Sequence, residues 1–273
     1  GVRRQRQMCI RDSGTSSSID ILLDEKTEVN DLRPYIDTIR RVKSASEIQY
    51  MQEAASIASS AHEKAMRNSR PGMGEWEIQA MVEGHFMSSQ SQWSFPSIVG
   101  GGDNATVLHY KDNNQVIGSG DLVLVDAGCE VSGYASDITR TWPVNGRFSQ
   151  PQREIYNLVL KAELAGIEAC QPGMPWVSMH EAVCVTIAEG LIELGVLNCT
   201  LEDALGRVAG KPGVFEGQIR NFFMHGTGHF LGLDVHDVGG GRQGDPNSSF
   251  LLEPGMVLTI EPGLYFGSWR NDI

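Results

Sequence analysis

No run of eighteen consecutive apolar residues occurs in the sequence, so no segment reads as a membrane-spanning helix. Cysteine is sparse. Beyond Cys9 there are Cys129, Cys170, Cys184 and Cys199, without CxxC spacing or clustering, which excludes a zinc ribbon or a dense disulfide framework. Their pattern fits reduced, buried thiols in a cytoplasmic protein, and the sequons at Asn104, Asn198 and Asn247 are then chance matches. Basic residues are also few: the formal net charge is -12, which argues against nucleic acid or an anionic membrane surface as a partner. What is present is ordinary for a globular protein, since 273 residues at 41% hydrophobic content can close a core as one large or two smaller domains.

One stretch breaks the acidic pattern. Residues 1–13, GVRRQRQMCIRDS, carry four arginines and one acid. Residues 3–13 match, letter for letter, the translation of the adapter string used in transposase-based sequencing libraries. Residues 1–13 are therefore expected to be a library scar outside the fold. Without them, 18 basic residues face 33 acidic ones, a balance of -15. A targeting peptide at an authentic start would fall outside this sequence, so the cytoplasmic expectation rests on the cysteines alone.

Helical signals organise the chain from residue 41 onward. Ser44 and Glu47 form a capping box, and Ile48, Met51, Ala55, Ala58 and Ala65 keep helical spacing, predicting a helix to about Asn68. Arg70-Pro-Gly-Met stops it, and Glu75 to about Met87 reads as a second helix. The same plan returns as a helix from Pro151 to about Cys170, the punctuation Gln171-Pro-Gly-Met, and a helix from about Trp176 to Leu194. Two apolar segments support an internal repeat: Gly120-Asp-Leu-Val-Leu-Val-Asp-Ala-Gly and Gly255-Met-Val-Leu-Thr-Ile-Glu-Pro-Gly align glycine to glycine and carboxylate to carboxylate. Both are predicted as strands. Asp126 and Glu261 then occupy equivalent places, and a pseudo-twofold would bring them together from opposite halves.

Four polar residues sit among apolar strand signals: Asp126, Asp137, His229 and Glu261. Buried charges are costly unless compensated. Any one of them alone reads equally well as a turn or cap residue at a strand end. Together, three carboxylates and one imidazole form the donor set expected for manganese, cobalt, iron or zinc in a hydrolytic site. Gly226-Thr-Gly228 with Gly232 has GxGxxxG spacing and no ribose-binding acid, so a dinucleotide loop is excluded. Val99-Gly-Gly-Gly-Asp reads as a turn leading to His109 rather than a phosphate loop.

The segments VDAGCEVSGYASDITRTWPVNGRF, FMHGTGHFLGLDVHDVG and EPGMVLTIEPGLY resemble the signatures of the Xaa-Pro aminopeptidase family. These are pita-bread metallopeptidases, a group that includes prolidase, methionine aminopeptidase and creatinase. The resemblance runs from about Arg33 to Tyr265. It implies an α+β pita-bread fold with a pseudo-twofold repeat of helix-helix-strand units. It also implies residues 14–40 as the remnant of an amino-terminal domain and linker, and 41–273 as a catalytic domain lacking its last strand.

By the same resemblance, Asp126 chelates one metal, Asp137 bridges two, and His229 with Glu261 holds the other. Glu261 doubles as proton shuttle beside a metal-bridged hydroxide. Two divalent ions are implied, manganese by the family and zinc, cobalt or iron as alternatives. His109 and His236 resemble residues that bind substrate and assist catalysis. His225 either touches substrate or backs a ligand, and Tyr265 is either substrate-side or ordinary core packing. The implied reaction releases the amino-terminal residue from peptides with proline in second position. Prolidase action on Xaa-Pro dipeptides is the alternative, and a non-catalytic pita-bread binding module is the rival from another class. Proline-containing peptides are the expected partners, with a homo-oligomer for the whole protein. The family's fifth ligand, a glutamate on a following strand, has no counterpart before Ile273, and Asp272 is a poor stand-in. A chain truncated at both ends is therefore expected to bind at most one metal tightly and to lack activity by itself.

Overall fold

The computed structural model describes residues 32–238 and 251–268. The expected scar at 1–13, residues 14–31 of the expected remnant, the sequon at Asn247 and Asp272 lie outside the described residues.

Helix α1 (Arg33–Arg41) falls where the sequence suggested only a remnant and linker. Pro34 sits in its first turn, where a missing N–H costs nothing, and Arg40 and Arg41 in its last turn complement the helix dipole. None of its residues is buried. Helix α2 (Ala45–Asn68) begins at the expected capping box: the Glu47 carboxylate accepts the Ser44 N–H at 2.7 Å, and Ser44 Oγ accepts the Glu47 N–H at 3.4 Å. Its buried face is built mostly from alanines, Ala54, Ala58, Ala61 and Ala65. Small side chains let the helix axis lie close to the layer beneath. Helix α3 (Glu75–Ser88) follows Gly72, whose φ of +88° makes the turn after Pro71. Ile78, Val82 and Phe86 recur at helical spacing and are fully buried.

These helices cover two antiparallel three-stranded sheets. One has the order β1-β4-β5, from β1 (Gln92–Trp93), β4 (Cys129–Val131) and β5 (Tyr134–Ala135). The other has the order β2-β3-β6, from β2 (Ile98–Gly101), β3 (Leu122–Ala127) and β6 (Ile138–Pro143). Strand β3 buries Val123, Val125 and Ala127 against α2 and α3 and turns Leu122, Leu124 and Asp126 to the other face.

A second core forms between α4 (Gln150–Ala169), α5 (Val177–Glu193) and α6 (Leu201–Leu205), with Phe215, Phe222 and Phe223. A Cβ on Gly190 would lie 2.1 Å from Leu158, so glycine is what lets α4 and α5 approach. The helical half of the repeat is thus present twice, with Gly173 at φ +85° echoing Gly72.

The strand half is not. Residues 255–263, expected as the twin of β3, form no strand and contribute a single isolated antiparallel bridge, Phe230 to Leu258. Pro254 and Pro262 remove donors on either side. Inside, the Thr259 hydroxyl rather than its carbonyl takes the His229 N–H at 2.9 Å. The segment still lies antiparallel to 227–231: the Leu231 N–H donates to Val257 O, the Thr259 N–H to His229 O and the Glu261 N–H to Thr227 O. Of the thiols, Cys129 and Cys184 are buried as expected, whereas Cys170 and Cys199 are partly exposed. No described helix is long and apolar enough to cross a membrane.

Candidate metal centre

The spacing of Asp126 and Asp137 acquires its meaning from strand register. Asp126 pairs with Thr139 across β3 and β6. Side chains alternate along a strand, so Asp137, two residues before Thr139, falls on the same face as Asp126. The opposite wall is the 227–231 and 257–261 pair, which places His229 and Glu261 toward those two acids. His229 Nε2 lies 3.3 Å from Asp137 Oδ2 and 3.2 Å from Glu261 Oε1. All four residues singled out from the sequence therefore converge.

Their electrostatics are those of negative charge held without enough cation. Burial, then the charges of Asp137 and Glu261, raise the Asp126 carboxyl well above the ordinary carboxylate range. Burial opposes a charged His229, but its hydrogen bonds to Asp137 and Glu261 prevail and push it up to about 10. Burial alone would raise the Glu261 carboxyl, yet the His229 hydrogen bond, with a further one from the Thr259 hydroxyl at 2.8 Å, brings it below its usual value. Asp126 Oδ1 is buried and has no hydrogen-bond partner. An orphaned buried acceptor costs roughly 1–3 kcal/mol.

Among the described residues, no three His, Cys, Asp or Glu side chains stand in a ligating arrangement as they are. His229 Nε2 instead lies within hydrogen-bonding reach of both Asp137 and Glu261. The donor set nevertheless fits a divalent ion, because two carboxylates lie within 3.3 Å of one imidazole nitrogen and a third carboxylate beside them has an unpaired oxygen.

The outer residues surround this centre. The His236 ring centroid is 4.3 Å from that of His229 at 67°. Burial, and then the charge of His229, lower its pKa. His225 is held from both sides, by Gly226 O at 2.8 Å and the Tyr265 hydroxyl at 2.8 Å. Tyr265 is raised above the usual tyrosine value by burial and by Glu261 and Asp126, so it faces the acids rather than a separate core. His109 lines the same cleft from its exposed rim, in the left-handed region at φ +57°.

Three supporting residues escape a sequence reading. Glu75 is fully buried and accepts from Gly101 N, Asn104 Nδ2, the Tyr110 hydroxyl and Gln115 N at 2.8 to 3.0 Å, shaping the loop that carries His109. His180 Nδ1 lies 2.7 Å from Thr227 Oγ1, behind the 225–229 loop. Thr259 holds both the His229 backbone and the Glu261 carboxylate. Only Glu75 leaves a trace in the sequence, an acid at the first position of a helix; the His180–Thr227 contact and the Thr259–His229 hydrogen bond span 47 and 30 residues.

Comparison with known proteins follows the same geometry. The model of metallopeptidase family M24 matches residues 49–272. The Xaa-Pro aminopeptidase of Haemophilus influenzae is 45% identical over 240 residues, covering 88% of this chain and 53% of that protein. The Escherichia coli Xaa-Pro aminopeptidase is 43% identical over 236 residues, covering 86% and 51%. The human Xaa-Pro dipeptidase is 37% identical over 260 residues, covering 88% and 51%. The structure of zinc-substituted E. coli aminopeptidase P in complex with product superposes with a TM-score of 0.80 at 42% identity, over 88% of this chain and 52% of that one. The chain thus spans about half the length of the curated relatives it matches.

Proposed function

The chain belongs to metallopeptidase family M24 and has the fold of aminopeptidase P, and from that premise we propose that it carries the catalytic site of a metal-dependent Xaa-Pro aminopeptidase. The substrates are peptides with proline in second position, from which the first residue is released. The observation that carries this reading is the convergence of Asp126, Asp137, His229 and Glu261 around an orphaned Asp126 oxygen. These four residues would hold divalent ions, manganese being the one that an oxygen-rich donor set suits, with zinc, cobalt or iron as competitors. Two such ions, when bound, supply a nucleophile at neutral pH and polarise the scissile carbonyl.

The chain's own groups supply the rest. Glu261 Oε1, in contact with His229 and Thr259, would accept a proton and return it to the leaving amine. His236, whose ring lies against that of His229, would donate to the carbonyl oxygen as negative charge develops on it. The His225–Tyr265 pair offers a polar wall to the substrate, and His109 approaches from the rim. The convergence of metal-binding side chains speaks against a non-catalytic binding module.

Prolidase remains the second reading, supported by the similarity to the human dipeptidase. Hydrolysis of Arg-Pro-Pro against an Xaa-Pro dipeptide separates the two. The assay is run on the chain and on a chimera completed with the remaining length of the E. coli relative. Preference for the tripeptide is expected, and preference for the dipeptide would overturn the choice.

A further inference from the structure

Lys43 and Asp237 form a buried ion pair, Nζ to Oδ2 at 2.9 Å, with both side chains 1% exposed. Arg40, the last-turn residue of α1, joins it by bonding Asp237 and by reaching Asp234 Oδ2 at 2.7 Å. The corner between α1 and α2 thus drives two cations into the 230–237 loop. The same corner touches the second wall of the site: the Lys43 N–H donates to Gly255 O at 2.8 Å, and Arg41 lies 3.6 Å from Glu253.

The loop is shaped around this pair. The Asp237 N–H closes it on Phe230 O at 2.8 Å, and Gly232 N donates to Asp234 O at 3.1 Å. A Cβ on Gly232 would lie 2.1 Å from Asp237 Oδ2 and 2.8 Å from Lys43 Cε, so the carboxylate and the lysine stem fill the space that a side chain would need. Asp237 is the immediate neighbour of His236, whose ring lies against His229. A buried ion pair is a poor source of net stability, because desolvation consumes most of the Coulombic gain and apolar replacements are often as stable. What it fixes is position.

We infer that Lys43 and Arg40 are positioning residues that act through Asp237 to hold the 230–237 loop and set the seat of His236. These two residues, which precede the family-matched region beginning at residue 49, are then part of the site's machinery. The kinetic consequence rests on the peptidase reading of the site; the conformational one does not.

The experiment reads both. In the uniformly 15N-labelled chain at fixed pH, the His236 ring resonances are assigned with His236→Ala and followed in Lys43→Met and Arg40→Met. Displaced or broadened His236 signals are expected, while those of His85 on α3 stay in place. In the chimera above, kcat/KM falls on the order of tenfold to a hundredfold, through kcat, with metal content unchanged. Should Lys43→Met fail to fold, Arg40→Met decides, because its side chain is partly exposed, at 22%. Unmoved His236 resonances in a folded variant overturn the inference. A parent chimera without Xaa-Pro hydrolysis would overturn the proposed function instead, leaving the spectroscopic result to judge the clamp.

Discussion

Asp126 faces Thr139 across the β3–β6 ladder, and this register is what turns an eleven-residue spacing into two carboxylates on one face. The cost of that arrangement falls on Asp126, buried with an unpaired oxygen beside two further acids.

Replacing that acid relieves the metal-free protein. Asp126→Asn removes the buried ionisable group at nearly constant shape, so the metal-free variant is expected to melt at or above the parent temperature. Added manganese should raise the melting point of the parent more than that of the variant. Scanning calorimetry with and without chelator checks this; a metal-free variant melting several degrees lower would show that Asp126 is a structural hydrogen-bonding residue.

Removal of His236 should separate catalysis from metal binding. The ring lies against His229 without contacting a carboxylate through any hydrogen bond seen among the described residues. His236→Ala is expected to lower kcat/KM by about 3 kcal/mol in transition-state terms, with metal stoichiometry unchanged in elemental analysis of the purified chimera. Loss of a metal equivalent would make it a ligand instead.

The buried imidazole of His180 predicts an acid-sensitive fold. Burial, aided by Arg220 and His225, lowers its pKa to about 4, so the folded state favours the neutral ring. Its stabilising contribution is present above the unfolded value near 6.5 and is lost as pH falls toward 4, amounting to no more than about 3 kcal/mol. In urea titrations of the metal-free chain, His180→Gln should flatten the dependence of stability on pH between 6.5 and 4. An unchanged slope would contradict the assignment.

At the start of α2, Ser44→Ala removes the acceptor for the Glu47 N–H and half of the capping box. A loss of about 1 kcal/mol is expected by chemical denaturation. Activity of the chimera should be little changed, since Ser44 touches none of the site residues.

Much of this was legible because the signals were local. Ser44 with Glu47, and the Pro-Gly breaks at 71–72 and 172–173, mark helix ends within a few residues. Asp126 stands out as a charge in the apolar strand β3, and Asp137 as one immediately before β6. The strand expected over 255–263 failed because Thr259 diverts the His229 N–H to a side chain, which no periodicity reveals. Helix α1 was missed although Tyr35, Ile36 and Ile39 keep helical spacing: it is nine residues long, lacks a side-chain cap and leaves those apolar side chains exposed. The Lys43–Asp237 pair was invisible for a different reason: its members are 194 residues apart, and each reads alone as a solvated charge.

The central claim is that Asp137, between His229 and its neighbouring acids, belongs to a metal site. Calorimetric titration of manganese into the chelator-treated chain and into Asp137→Asn tests it most directly, since an amide bridges cations poorly and the variant should keep the fold. Saturable binding by the parent and its loss in a folded Asp137→Asn variant is the predicted result. Equal binding by both, or none by the parent, would contradict it.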